Sequence, residues 1–402
     1  MVIGRVGTRQ SEAVSVHVLQ VTPYFPPTWA YGGIPRIVDG LSRALKTRGV
    51  AVTVLTTDAF DHERRAGTPP DRDHGGVRVL TVRNASNSLA WRHQLFLPAG
   101  AARALDLLEQ GPPVDVVHLH GHRHLLNNAA LRWARPRGLP YVMTANGTLT
   151  RHERKIAVKY IWDLMFSGPV PLGAARCVAV SAADVAQHAR AGVAPERIVR
   201  IPNGLDLGEF EALPPRGALR ARLGLGEAPL VVYLGQISPR KGVEHLIAAF
   251  AGGALGDAAL VIGGASRDGA LPQAGPNVHF TGTLAGRERL ELLSDADVLV
   301  YPSADEIFGL VPFEGLLCGA PVVVADDCGC GELIAQAGAG LLVRHADVEG
   351  LRARVRTLLR DREAADAMVE RGRRFIHERL SFARVAERHE ALYHEVIGEA
   401  RR

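Results

Sequence analysis

The feature that most limits what this chain can fold into is an alternation. Short runs rich in Val, Ile and Leu alternate with stretches of helical periodicity from residue 16 onward, and the pattern starts again after a break near residues 206–227. Apolar runs of this length suit strands buried on both faces, and the stretches between them suit crossover helices, so each half reads as a parallel sheet covered on both sides. In the first unit a strand at 16–21 leads through a Pro/Gly loop into a helix over about 35–48. Ile34, Ile37, Val38, Leu41 and Leu45 share one face of it. Further strands are expected at 51–56, 77–82, 114–119, 141–144, 177–180 and 198–201. In the second half they are expected at 230–234, 259–262, 278–280, 298–301, 322–325 and 340–343.

A length of 402 residues exceeds one ordinary core and suggests two or three domains. The fold class is therefore α/β, with two Rossmann-like doubly wound parallel-sheet domains facing a central cleft. The expected divisions are a flexible N-terminus (1–13), a first Rossmann-like domain (14–212), a linker containing Pro214-Pro215 (213–228), a second Rossmann-like domain (229–380), and a C-terminal helix (381–402) packing back on the first domain. No apolar run approaches the ~20 residues of a membrane span. Residues 1–12 lack the apolar centre of a signal peptide, and the four cysteines (Cys177, Cys318, Cys328, Cys330) match no zinc or redox pattern. The expectation is a cytoplasmic protein. A net charge of +5 over this length favours anionic ligands or a lipid headgroup surface and carries no nucleic-acid motif.

Residues 303–334 read SADEIFGLVPFEGLLCGAPVVVADDCGCGELI. A strand ends near Tyr301, a loop carries Glu306 and Gly309, and a short helix runs from Val311 or Pro312 to Gly319. A helix start beyond a strand's carboxyl end offers backbone N–H groups to a diphosphate. Eight residues of helix would separate Glu306 from Glu314 by ~12 Å. Glycosidase pairs need ~5–5.5 Å for retention or ~6.5–9.5 Å for inversion, so two separate hydroxyl-binding roles fit better.

Glu306-x₇-Glu314 with Phe308-Gly309 resembles the E-x₇-E motif of retaining GT-B glycosyltransferases of family 4. The resemblance extends through GGIP (32–35), IPNGLDLGEF (201–210), LGQISPRKG (234–242), LVIGG (260–264) and ELLSDADVLVYPS (291–303), nearly the whole chain from residue 16. It implies that Glu306 contacts the donor sugar, that Glu314 binds the ribose hydroxyls, and that Phe308, Gly309, Leu310 and Val311 line the sugar and diphosphate site. Lys241 would neutralise the leaving diphosphate. The family usually has Arg where this chain has Gln236, and Arg240 is the candidate to replace that cation. Gly32 and Gly33 would lie over the donor phosphates from the opposite domain. His120, the second His of an H-x-H, would sit at the acceptor and donor-sugar edge with a catalytic role, and His118 would be a strand-end residue. Asn146 stands where the family commonly has His; it can position an acceptor but cannot titrate near neutral pH.

Two features suggest a metal, the alternate histidines 118–124 and Asp295-Ala296-Asp297, but neither context supports one. The expectation is no cofactor and no metal, with the nucleotide sugar as substrate. The partners implied are a nucleotide diphosphate sugar and a glycan, lipid-linked or small-molecule acceptor. The basic, aromatic stretch 151–166 reads equally as an ordinary surface helix or as a peripheral contact with the inner membrane face. Two other classes stay open: an NAD-dependent oxidoreductase, with Asp58 at a strand end but no G-x-G-x-x-G, and a non-catalytic sugar-nucleotide-binding partner.

Overall fold

The computed structural model describes residues 16–149, 170–266 and 269–402. The N-terminus 1–13 and the basic stretch 151–166 lie outside the described residues. Two sheets carry the molecule. The first is built from β1 (His17–Val21), β2 (Ala51–Thr57), β3 (Asp71–His74), β4 (Val77–Asn84), β5 (Pro98–Ala99), β6 (Val116–His120), β7 (Tyr141–Thr144), β8 (Arg176–Ala179) and β9 (Ile198–Arg200). Its order is β3-β4-β2-β1-β6-β7-β8-β9, with β5 on β4, and only β3 and β5 run antiparallel. The second sheet comprises β10 (Leu230–Leu234), β11 (Ala259–Gly263), β12 (Val278–Gly282), β13 (Val298–Tyr301), β14 (Val322–Ala325) and β15 (Gly340–Val343), all parallel, in the order β12-β11-β10-β13-β14-β15. In both sheets the chain reverses direction across the sheet at one place, between β1 and β6 and between β10 and β13. Crevices at such points, beyond the strands' carboxyl ends, are where doubly wound sheets bind ligands.

The strands are uniformly apolar because helices cover both faces. Val231, Val232, Leu260, Val261, Leu299, Val300, Val322 and Val323 are buried in the second core. The first sheet has a core on each face. One includes Leu19, Leu55, Leu119 and Met143; the other joins Val18, Val52, Val54 and Val116 to the helix Phe382–Ala400. That helix contributes Val385, Leu392, Tyr393, Val396 and Ile397, worth about 2 kcal/mol per fully buried aliphatic side chain. The helix Ile34–Thr47 starts with Pro35 in its first turn and stops before Gly49, whose φ of +88° a residue with a Cβ rarely adopts.

The chain passes between the two sheets near Leu205 and again near Ser381, and these crossings are tied together. The Leu205 N–H donates to Leu380 O (2.7 Å) and the Phe382 N–H to Leu205 O (3.2 Å). The Phe382 ring lies so close to Gly40 and Gly204 that a Cβ on either would overlap it. The stretch 213–228, read as linker from its prolines, is more ordered than that reading. It holds the helix Ala218–Leu223, and Asp295 accepts from the N–H groups of Gly217 (2.5 Å), Leu219 (2.7 Å) and Arg220 (3.0 Å). Asp295 thereby caps a helix N-terminus. Asp297 pairs with Arg216 and Arg220, so both carboxylates of the D-x-D are engaged in holding this helix.

Candidate active site

The loop after β13 and the helix behind it form one wall. The helix runs Val311–Leu317, with Pro312 in its first turn and Gly319 beyond its end at φ +92°. Gly309 sits at φ +75°, and a Cβ there would come within 2.9 Å of Cys330 Sγ and 3.3 Å of Glu306 Cγ. Only glycine fits this turn. Phe308 is buried, and Leu310 and Val311 pack on the second core.

Glu306 meets Lys241 directly across the crevice between β13 and β10. The lysine ends a short turn, Pro239–Lys241, which is docked on the strand end: Ala304 N–H donates to Arg240 O (2.9 Å), and a Cβ on Gly242 would collide with Pro302. Lys241 Nζ also donates to the Tyr301 hydroxyl (3.1 Å), and the Ser303 hydroxyl donates to Glu306 (3.2 Å). Burial alone would raise the Glu306 carboxyl, but the Lys241 ammonium, with Arg240 and Ser303, overcomes this and holds it below the usual carboxylate range. The Tyr301 hydroxyl is pushed far up by burial and by Glu306, so it remains a neutral donor. Gln236 follows β10; its backbone oxygen accepts from Tyr233 (2.8 Å).

Glu314 is in a different state from the one the resemblance implies. Its side chain is 3% exposed, Oε1 takes Arg36 (2.8 Å) and Oε2 takes Arg289 (2.6 Å). Both arginines also hold Glu209, at 2.7 and 2.6 Å, which closes a ring of four charges between the two halves of the molecule. A ribose diol reaching Glu314 must displace one of these guanidinium groups. Arg36 and Arg289 are the residues that sequence reasoning missed. Arg36 directly follows the quoted GGIP, which was the one available signal; Arg289 had none.

The opposite wall comes from the first sheet. Gly32 has φ +97°, and a Cβ on Gly33 would lie 3.5 Å from Leu310 Cδ1. Asn146 and Gly147, after β7, have φ values of +51° and +77°, and a Cβ on Gly147 would lie 2.8 Å from Ile307 Cγ1. The glycine loops thus face residues 307–310 of the Glu306-x₇-Glu314 segment. Both polar atoms of the Asn146 amide are buried without a hydrogen-bond partner. Such a group costs about 1–3 kcal/mol unless something else satisfies it.

His120 is enclosed, lining a small cavity with Thr144, Asn203 and Phe382. It is 1% exposed, its Nε2 meets Gln20, and its ring lies 4.1 Å from that of His118. The reason is the strand's period of two, which points His118 and His120 to the same face. There the C-terminal helix covers them: His118 bonds Tyr393 and Thr144, both at 2.7 Å, and its ring stacks 5.5 Å from His389. Burial pushes His120 down to about 3 and His389 to about 4, so both are neutral. Among the described residues no group of three or more His, Cys, Asp or Glu is arranged to hold a metal ion. Asp58, the residue a dinucleotide ribose would need, is paired with Arg65 (2.8 Å) and accepts from the Asn84 N–H (2.7 Å).

Comparison with known proteins decides the class. The family model described as Glycosyltransferase Family 4 matches residues 31–209, and the one described as Glycosyl transferases group 1 matches residues 216–375. The chain is 30% identical over 325 residues to the GDP-mannose-dependent alpha-mannosyltransferase of Mycobacterium tuberculosis, covering 76% of this chain and 82% of that one. The chain belongs to the family-4 glycosyltransferases. It is also 28% identical over 400 residues to the glycogen synthase of the same organism, covering 92% of each. The solved sucrose-phosphate synthase from Thermosynechococcus elongatus superposes with a TM-score of 0.74 at 20% identity, covering 96% of this chain and 100% of that one. The two sheets are therefore the two halves of a GT-B fold. A family-4 glycosyltransferase moves a sugar from a nucleotide-activated donor, and the crevice between Lys241 and residues 306–311 lies where doubly wound sheets bind such ligands.

Proposed function

We propose that this chain is a metal-independent, retaining hexosyltransferase. It takes a hexose from a nucleotide diphosphate sugar held mainly by the second half and passes it to a hydroxyl acceptor held by the first, in assembly of a cell-surface polysaccharide or glycolipid. The observation that carries the reading is the Lys241–Glu306 pair, a cation and a carboxylate side by side, with Glu306 on a loop whose Ile307 meets Gly147, next to the unsatisfied Asn146 amide. Glu306, held ionised, accepts hydrogen bonds from the hexose hydroxyls. Lys241, released from it, stabilises charge on the departing diphosphate, aided by Arg240 in place of the cation that Gln236 cannot supply. Gly309, Leu310 and Val311 offer backbone N–H groups, Phe308 packs beneath them, and Gly32 and Gly33 close from the other side. Glu314 takes the ribose once Arg36 lets go.

The bond from the anomeric carbon to phosphate oxygen breaks as the bond to the acceptor oxygen forms on the same face. The acceptor proton goes to the departing phosphate oxygen, so no side-chain base is needed. Asn146 orients the acceptor hydroxyl. His120, neutral and enclosed, supports that wall from behind and does not exchange the proton. Closure of the halves excludes water and limits donor hydrolysis. The reading also includes a cytoplasmic location and peripheral contact with the inner membrane face through residues 151–166.

The test is the anomeric configuration of the transferred sugar, read by NMR, with a chelator present throughout. Retention with undiminished turnover is expected. Inversion, or loss of turnover that Mg²⁺ or Mn²⁺ restores, overturns the reading. Donor binding with no turnover on any acceptor would point to the non-catalytic class.

A further inference from the structure

The first half carries two exposed indoles, Trp29 and Trp91. Trp29 is 50% exposed and Trp91 37% exposed, and Trp is enriched where protein surfaces make contacts. Trp91 rests against the edge of Tyr31, with ring centroids 5.5 Å apart at 73°. Tyr31 stacks on Tyr24 (5.2 Å, 12°), and Tyr24 meets buried Phe96 (5.5 Å) and His124 (6.3 Å). Behind the exposed Trp91 ring, therefore, lies a packed aromatic wedge.

The short helix Asn87–His93 that carries Trp91 is also fixed. Ser86 caps it through the Leu89 N–H (3.3 Å), Asn84 bonds Ser86 O (2.9 Å) and Asn87 (3.0 Å), and Asn87 bonds Arg64 O (2.7 Å). Rigid rings on a rigid support lose little entropy on binding.

The wedge adjoins the reacting centre. Tyr31 immediately precedes Gly32-Gly33, the loop that faces Leu310, and Trp29 lines a small cavity with Arg36, Leu310 and Glu314. Arg64 is paired with Asp61 (2.7 Å) and Arg65 with Asp58 (2.8 Å), and Arg92, beside Trp91 on the short helix, is exposed. This wall offers aromatic faces together with buried polar atoms that have no hydrogen-bond partner, the Tyr31 hydroxyl and the ring nitrogens of His124. The C–H faces of a pyranose ring carry slight positive charge and meet the negative face of an aromatic ring, while a sugar hydroxyl can satisfy the phenol.

We propose that Trp29 and Trp91, with the neighbouring Tyr31 hydroxyl, are acceptor subsites, and that the acceptor is an uncharged oligosaccharide whose terminal sugars stack on the indoles. The inference rests on the glycosyltransferase reading above and names its acceptor class. A bare phosphorylated acceptor would find aromatic faces and the single exposed Arg92, where a tightly held phosphate needs several converging charge-assisted donors.

The experiment is calorimetric titration of the full chain with α-linked gluco- and manno-oligosaccharides, from mono- to pentasaccharide, and with inositol phosphate as the anionic arm. Binding is expected to strengthen from mono- to trisaccharide. Trp29→Ala and Trp91→Ala should each weaken the trisaccharide about tenfold, and Trp91→Phe by less than about threefold. The phenylalanine variant retains a ring, so it separates lost stacking from lost folding. No binding of any neutral oligosaccharide at about 10 mM, binding indifferent to both alanine substitutions, or tight binding of inositol phosphate alone would each overturn the proposal. Binding of UDP, GDP and ADP is measured alongside. If the chain binds none of them, the glycosyltransferase reading has failed; if one binds and the sugars do not, only the acceptor proposal has.

Discussion

Lowering the pH from 6.5 to 5.5 should remove a large part of this protein's stability, through four buried histidines. His118, His120, His124 and His389 are each no more than 5% exposed. Burial is the largest cause in each case, and it lowers His118 well below its ordinary value, His120 and His124 to about 3, and His389 to about 4. In the unfolded chain each returns to about 6.5, so over this window the unfolded state binds more protons and stability falls as pH falls. The magnitude does not need the folded values, only that all four lie below 5.5. Across this unit the unfolded histidine goes from half to about nine-tenths protonated, so each contributes about 1 kcal/mol of loss, about 4 kcal/mol together. That compares with about 5–15 kcal/mol for a whole domain. Ordinary carboxylates stay ionised in this range, so they add little. The assay is urea unfolding at pH 7.0, 6.5, 6.0 and 5.5. His389→Leu, which removes one group from the stack on His118, should reduce the pH dependence by about a quarter. An unfolding free energy that is flat from pH 6.5 to 5.5 would refute the buried neutral cluster.

Further expectations concern the two walls of the cleft. Glu314→Ala strands Arg289 beside one half-exposed partner and should cost about 3 kcal/mol, whereas Arg36→Ala should cost only about 1 kcal/mol, because Arg36 is 32% exposed and Glu314 keeps Arg289. Equal losses in denaturant titrations would contradict the ring. Gly147→Ala should cost about 1–2 kcal/mol from its φ of +77° and should also impair transfer, because its Cβ would press on Ile307 at 2.8 Å. Gly33→Ala, with 3.5 Å to Leu310, should leave transfer within about threefold, and a comparison of initial rates separates the two.

Much of this architecture was legible because it is local. The apolar runs at 141–144, 230–234, 298–301, 322–325 and 340–343 became strands over those same residues, since buried parallel strands need continuous apolar sequence. The donor-motif helix was bounded correctly by Pro312 and Gly319 for equally local reasons. The antiparallel strand β3, Asp71–His74, was not foreseen, because its sequence is DRDH and only pairing with β4 makes it a strand. The site's charge partners were hidden for a different reason. Arg36 and Glu314 are 278 positions apart, and His118 and Tyr393 are 275 apart, so nothing in either neighbourhood announces the other. The same distance explains His120: the H-x-H spacing shows that both rings share a face, but not that the C-terminal helix covers that face.

The most direct test of the central claim is nucleotide-sugar turnover by the full chain after changing the two residues that meet at the crevice. Lys241→Met and Glu306→Gln keep size and remove charge, so circular dichroism should be unchanged in both. The account predicts that release of nucleoside diphosphate from the productive UDP-, GDP- or ADP-sugar falls at least about 100-fold in each. Turnover at the wild-type rate in either variant would contradict it.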